Sequence, residues 1–272
     1  MNEWNAMTYE GKDTILRVVR QEAARMFALV ESPSAWEAPT ACEGWTARDV
    51  VAHIVDTTEG YFTAFDVARG VGEATEPYGL AAMGRRVNEM ATSFRGVPQA
   101  ELLDRLHTDF DKMQKILAPL GPDEWTGMMV THPYMGPVPA FFYAAGQLMD
   151  YGVHSWDIRQ GTGRAHGLSG EVADLLVPFM FGIWQGTVRT DAVKEPCEIG
   201  IRVLGGHNAG DFRVSVSDQG LTYEQGSIDH LPALIEFDAG SLVLAAFGRC
   251  NCGTVRGDMT VAERYLNLFF RI

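Results

Sequence analysis

Apolar positions recur at helical spacing through the first two thirds of the chain and switch to strict alternation after Pro196. Between Lys12 and Val30, the residues Ile15, Val18, Val19, Met26 and Val30 mark one face of a helix. Ser32-Pro33-Ser34 interrupts it. Thr46 with Asp49 three residues on reads as a capping box with Asp in place of Glu, so a second helix is predicted from there through His53 and Phe62 toward Arg69. Gly70 to Gly79 holds three glycines and a proline and reads as a loop. Helical spacing resumes over Leu80 to Phe94, and after Gly96 and Pro98 over Glu101 to Leu117. The proline-rich stretch from Pro119 to Pro139 is expected to be irregular, and a loop of that length suggests function. A further helix is predicted from Ala140 to about Gln160, ending at Gly161-Thr162-Gly163, and another from a Ser169 cap to Val188.

Beyond Pro196 the period becomes two. Cys197 to Leu204 and Asp211 to Asp218 alternate, the latter with Phe212, Val214 and Val216 on one face. Leu221 to Glu224, Ala233 to Phe237 and Thr254 to Arg256 are shorter strand candidates. Ser241 to Phe247 and Val261 to Phe270 read as short helices. The expected fold class is therefore α+β: a helical domain over residues 1–192 and a smaller α+β domain over 193–272.

Composition narrows the function classes. A length of 272 residues with 46% hydrophobic positions supports a sizeable buried core. A net charge of −13 argues against a nucleic-acid partner, which needs a basic footprint. The polar stretch Met1 to Glu10 does not resemble a signal peptide, and no run approaches the roughly 20 apolar residues of a membrane span, so a cytoplasmic protein is expected. Cys42, Cys197, Cys250 and Cys252 are scattered, as in a protein of reduced thiols rather than a disulfide framework.

Candidate chemistry concentrates in two segments. Asp150 and His154 stand at i and i+4, on one helical face. Joined by His53 from the second helix, they make a set of two imidazoles and a carboxylate that leaves metal positions open, as a catalytic divalent site requires. Asp157, three residues after His154, is placed to orient an imidazole, and Asp56 stands in the same relation to His53. The same acid–base spacing also occurs simply as helix support. His132 falls in the proline-rich stretch before the ligand helix, where it could line a pocket, though an exposed loop position is expected.

The segment Cys42-Glu43-Gly44-Trp45-Thr46-Ala47-Arg48-Asp49-Val50-Val51-Ala52-His53 resembles the C-x-G-W-(S/T)-x-(R/K)-(D/E)-(V/L)-x-A-H signature of the mycothiol-dependent maleylpyruvate isomerase family. Val153-His154-Ser155-Trp156-Asp157-Ile158 resembles that family's H-x-W-D helix. The resemblance implies a DinB-like up-and-down four-helix bundle followed by a smaller C-terminal α+β domain. It implies a divalent metal, usually zinc, on His53, Asp150 and His154, with mycothiol as the thiol cofactor. Position 150 is Asp where the isomerase has Glu, one methylene shorter, and this bears on the substrate more than on the metal. The resemblance further implies that Gly248-Arg249 corresponds to a Gly-Arg after a short helix, where Arg249 could help hold the thiol or an acidic substrate. Arg85 and Arg86 are expected on a solvated helix face, but either could reach a substrate carboxylate through a bidentate contact, and Arg86 is the substrate-binding candidate. Cys42, Trp45 and Trp156 are expected to be structural.

The function expected is that of an enzyme using a low-molecular-weight thiol on a small electrophile, by cis–trans isomerisation or S-transfer. Its partners would be that substrate and the thiol, with no membrane or nucleic acid, and the protein a monomer or homodimer. A thiol-independent metal enzyme, either a hydrolase or a non-haem iron oxygenase, or a non-catalytic metal-binding module would use the same three ligands.

Overall fold

A computed structural model describes residues 3–163 and 166–270. Residues 1–2 and 271–272, the outer ends of the two expected domains, lie outside the described residues. The chain divides into two compact units, Met1–Leu168 and Ser169–Ile272.

The first unit is built on four long helices: α1 (Lys12–Val30), α3 (Ala47–Ala68), α5 (Gln99–Leu117) and α7 (Phe141–Gly161). Between them come α2 (Pro33–Trp36), α4 (Leu80–Ser93) and α6 (Pro122–Gly127). The α1 stripe read from the sequence is buried, with Ile15, Val18, Val19, Met26 and Val30 all fully enclosed. Aromatic rings fill the interior where α1, α5 and α7 meet. Tyr151 of α7 meets Phe27 of α1 and Phe110 of α5 edge-on, with centroids 6.0 and 5.5 Å apart, the arrangement that ring quadrupoles favour. Buried Lys12 closes the end of α5, donating from Nζ to the Ala118 and Leu120 carbonyls. The register of α3 against α7 is held by a buried hydrogen bond from Gln147 Nε2 to Thr58 Oγ1 at 3.1 Å.

The stretch Pro119–Pro139 is ordered, contrary to the expectation of an irregular loop. It forms α6 and then an antiparallel hairpin of β1 (Met129–His132) and β2 (Gly136–Pro139), packed against α3. The prolines fit because Pro122 opens α6, where no amide is needed, and Pro137 and Pro139 lie on a two-stranded edge.

The second unit begins with α8 (Gly170–Thr187), with Ser169 at its N-cap position but no side-chain capping bond. It continues through β3 (Cys197–Leu204), β4 (Gly210–Ser217), β5 (Gly220–Gln225), β6 (Ala233–Asp238), α9 (Ala239–Ala246), β7 (Thr254–Gly257) and α10 (Met259–Leu266). The sheet order is β5-β4-β3-β6-β7, antiparallel except for the parallel pair β3–β6. The fold is α+β, as the change of period predicts. That change marks where helix gives way to strand. The compact units part earlier, at Leu168/Ser169, because α8 packs on α9 and β5, with Phe181 stacked on Tyr223 at 4.7 Å. Asp174 of α8 accepts from the His207 and Asn208 amides, and Gly206 leaves the room this needs, since a Cβ there would lie 2.8 Å from Asp174 Oδ1.

One close approach positions the loop between α2 and α3. At the end of α7, Gly161 lies against that loop: a Cβ there would run into the Pro39 carbonyl and sit 2.6 Å from Thr40 Cα. The Ala41 amide meanwhile donates to the Asp157 carbonyl at 2.9 Å. Gly161→Ala should therefore destabilise the protein by about 1–3 kcal/mol in denaturant unfolding and accelerate hydrogen exchange at Ala41. Unchanged stability and exchange would show that the loop does not depend on this approach.

Candidate metal centre

His53 stands on the second turn of α3. Its helix starts where the capping residues place it: Asp49 Oδ2 accepts from the Thr46 amide at 2.9 Å and from the Thr46 hydroxyl at 3.2 Å. Arg95 adds two hydrogen bonds to the same carboxylate, at 2.9 and 3.0 Å. Burial pushes the Asp49 pKa up, but these hydrogen bonds and the Arg95 charge outweigh it and leave it below the usual carboxylate range. The start of α3, and with it the placement of His53, is thus fixed by a short polar network.

The structure brings His53, Asp150 and His154 together. One ligand atom from each lies within 4.8 Å of the others. His53 Nε2 is 3.7 Å from Asp150 Oδ1, and the two imidazoles meet edge-on with centroids 5.1 Å apart. Each imidazole is tied through its other nitrogen. His53 Nδ1 is 3.2 Å from Thr57 Oγ1, one turn along α3. His154 Nδ1 is 2.8 Å from Oδ2 of fully buried Asp157. Asp157 therefore does what its spacing predicts. For His53 the hydrogen-bond partner is Thr57 rather than Asp56, although the Asp56 carboxylate feels the His53 charge. Asp150 Oδ2 is buried and has no hydrogen-bond partner among the described residues, an arrangement that disfavours a carboxylate unless something else satisfies it.

Cys42 and Trp45 are closer to the chemistry than the sequence suggests. Cys42 Sγ donates to Asp157 Oδ2 at 3.2 Å and lies 3.9 Å from His154 Nδ1. Cys42, His154 and Asp157 thus form a second group with metal-ligand chemistry, sharing His154 with the first. Half-buried Trp45 lies beside both imidazoles, at 5.5 Å from His53 and 6.4 Å from His154, and is held by its indole N–H to Asn88 Oδ1 at 2.9 Å. Buried Trp156 packs as expected.

The two arginines after the first loop separate. Arg85 is exposed and paired with Glu89 at 2.8 Å. Arg86 is half-buried, its guanidinium 3.6 Å above the Tyr78 ring, and its charge is felt by Tyr134 and by Asp56. Arg249 belongs to the second unit, and its Nη1 donates to the Phe247 carbonyl at 3.2 Å.

His132 overturns the expectation of an exposed loop residue. It is the last residue of β1 and only 7% exposed. Its Nδ1 accepts from the Tyr134 and Met135 amides at 3.2 and 3.3 Å, and burial pushes its pKa down to about 4 against an opposing pull from Asp150. A position among prolines gave no periodic signal to reveal this.

Residues 19–159 match the family described as "Mycothiol maleylpyruvate isomerase N-terminal domain". Among solved structures, the chain is similar to the crystal structure of the mycothiol-dependent maleylpyruvate isomerase and to that of a histidine-to-alanine mutant of that enzyme. Each is 15% identical over 93% of both chains, with a TM-score of 0.57. It is also similar to colibactin self-resistance protein ClbS in complex with a dsDNA, at 12% identity over 57% of this chain and 97% of that one, with a TM-score of 0.47. The first two likenesses establish a shared fold. No curated protein sequence matches the chain.

The low pKa of His132 has a signed consequence. Its folded value lies below its unfolded value of about 6.5, so the stability it contributes is full above that value and is lost as pH falls toward 4. Relative to His132→Asn, the wild type should lose on the order of 3 kcal/mol between pH 6.5 and pH 4 in denaturant unfolding. A difference independent of pH would contradict the buried, neutral imidazole.

Proposed function

The chain belongs to the mycothiol maleylpyruvate isomerase N-terminal domain family, and from that premise we propose that it is a divalent-metal enzyme in which a small thiol, mycothiol, attacks a small electrophile. The observation that carries this reading is the donor set itself. Two imidazoles and a carboxylate converge, the far nitrogen of each imidazole is tied to a neighbour, and one oxygen of Asp150 is buried without a partner among the described residues. With Nδ1–H of His53 donating to Thr57 and Nδ1–H of His154 donating to Asp157, both Nε2 atoms keep their lone pairs for a cation. These three residues would hold it, and three protein ligands leave room for a thiol. A divalent ion, Zn2+ by its preference for such donors, supplies the charge that keeps a thiol deprotonated near neutral pH.

The remaining roles belong to residues of this chain. Trp45 and the aromatic rings near Asp150 limit the access of water to the nucleophile. Arg86, oriented by Tyr78 and Tyr134, offers its fork of N–H donors to a substrate carboxylate. The shorter reach of Asp150 compared with Glu adapts the site to a substrate other than maleylpyruvate, or to the same one less well.

The test combines the purified protein with Zn2+, mycothiol and a panel of unsaturated dicarbonyls, epoxides and quinones. Turnover is expected only with both metal and thiol. His154→Ala should remove metal uptake and turnover together, and Asp157→Asn should weaken Zn2+ affinity about 10–100-fold while leaving the three ligands in place. Asp150→Glu should raise activity on maleylpyruvate. Full activity in chelator-treated, thiol-free protein would refute the reading.

A further inference from the structure

The side chains next to the candidate metal centre form a closed circuit of neighbours. His53 feels Asp56, Asp56 feels Arg86, and Arg86 sits 3.6 Å above Tyr78. Tyr78 is 6.1 Å from Tyr134, Tyr134 is 5.9 Å from His132, and His132 is 6.1 Å from Tyr61. Both His132 and Tyr61 lie in the field of Asp150, which returns the circuit to His53 at 3.7 Å. The loop bearing Tyr78 is pinned to the hairpin by a hydrogen bond from the Tyr78 amide to the Pro133 carbonyl at 2.8 Å. Beyond the metal ligands, this circuit carries Arg86 as its cation and His132 as a second nitrogen donor.

The hairpin turn dictates which nitrogen of His132 carries the proton. Two backbone N–H groups, from Tyr134 and Met135, point at Nδ1. An amide can only donate, so Nδ1 must be the unprotonated nitrogen and the proton of the neutral ring resides on Nε2. Burial holds the ring neutral at physiological pH, with a pKa of about 4. Among the described residues, Nε2 has no hydrogen-bond partner. A neutral imidazole fixed in one tautomer is a hydrogen-bond donor that does not release its proton, which suits an oxygen that becomes negative only transiently.

We propose that His132 is a catalytic residue whose Nε2–H donates to the carbonyl oxygen of the substrate as that oxygen gains charge. This rests on the thiol reading above. In that reading the thiolate forms an S–C bond at the far carbon of a conjugated C=C. The C=C π pair moves toward the carbonyl, and the carbonyl π pair goes onto oxygen, giving an enolate. His132 Nε2–H meets that oxygen. Expulsion of the thiolate breaks the S–C bond and reverses the electron flow, with no net oxidation or reduction and no proton taken from His132. Arg86 fixes the carboxylate end of the same molecule, so the two residues together favour an unsaturated carbonyl compound bearing an acid group.

Two substitutions separate catalysis from architecture. Asn at 132 places a carbonyl oxygen where Nδ1 accepts from the turn, but it has no donor at the Nε2 position. Gln at 132 reaches the Nε2 position with an amide N–H and abandons the turn amides. The full-length protein is assayed with Zn2+, mycothiol and the unsaturated dicarbonyls of the same panel, maleylpyruvate included. His132→Asn should lower kcat by about 10²–10³-fold, with little change in KM or Zn2+ affinity, and His132→Gln should recover most of that loss. The reverse pattern, with Asn active and Gln inactive, assigns His132 to the hairpin alone and overturns the proposal. Nitrogen NMR of 15N-histidine-labelled protein gives a readout free of turnover: His132 should be neutral, with Nε2 protonated, at pH 7. A cationic ring or a proton on Nδ1 overturns the proposal even if thiol-dependent turnover is found. Absence of metal- and thiol-dependent turnover in the wild type refutes the thiol reading and with it the catalytic role, whereas the tautomer stands or falls on the NMR alone.

Discussion

A fully buried carboxylate, Asp157, is the constraint around which the centre is organised. Left without partners in the bundle interior, it would be strongly destabilising. It is satisfied by His154 Nδ1 at 2.8 Å and by the Cys42 thiol at 3.2 Å, while its own backbone carbonyl receives the Ala41 amide. These contacts bind the loop before α3 to the end of α7. They also engage His154 through its Nδ1. At the start of α3, Asp49 does the corresponding work for His53, through Thr46 and Arg95. Two carboxylates outside the proposed ligand set thus fix the two imidazoles within it.

Much of this was legible in the sequence because it is local. The Thr46–Asp49 cap, the Asp150–His154 face and the His154–Asp157 turn are set by spacings of three and four residues, and helical geometry makes those spacings spatial neighbours. The same applies to the change of period after Pro196, which located the sheet within a residue or two at most strands. Features that depend on distant segments were not legible. Nor was the bond of Thr57 rather than Asp56 to His53, since both lie within a turn of the ring and spacing alone does not choose between them. Cys42 and Trp45 reach the centre only because Gly161 lets the loop lie against α7. His132 is buried because two strands form among prolines, where neither alternation nor helical spacing gave a signal.

The centre joins two chemically different groups through one imidazole. On one side, His53 and Asp150 offer nitrogen and oxygen. On the other, Asp157 and Cys42 offer oxygen and sulfur. The ligand set proposed above is the first: the Asp157 oxygen in the second group is already engaged by His154 and Cys42, whereas Asp150 Oδ2 has no partner among the described residues. Asp157 is then a support that sharpens the basicity and direction of His154, in the way outer carboxylates orient metal-bound imidazoles elsewhere. The hairpin residue His132 extends the same logic outward, its tautomer being set by backbone amides rather than by a carboxylate.

The most direct test of this account is zinc-edge X-ray absorption on the full-length protein reconstituted with one equivalent of Zn2+. The account predicts two imidazole nitrogens at about 2.0–2.1 Å with carboxylate oxygen and no sulfur, and loss of the imidazole signal from His53 in His53→Ala. A sulfur scatterer at about 2.3 Å in the thiol-free protein would place the ion on Cys42 instead and contradict the central claim.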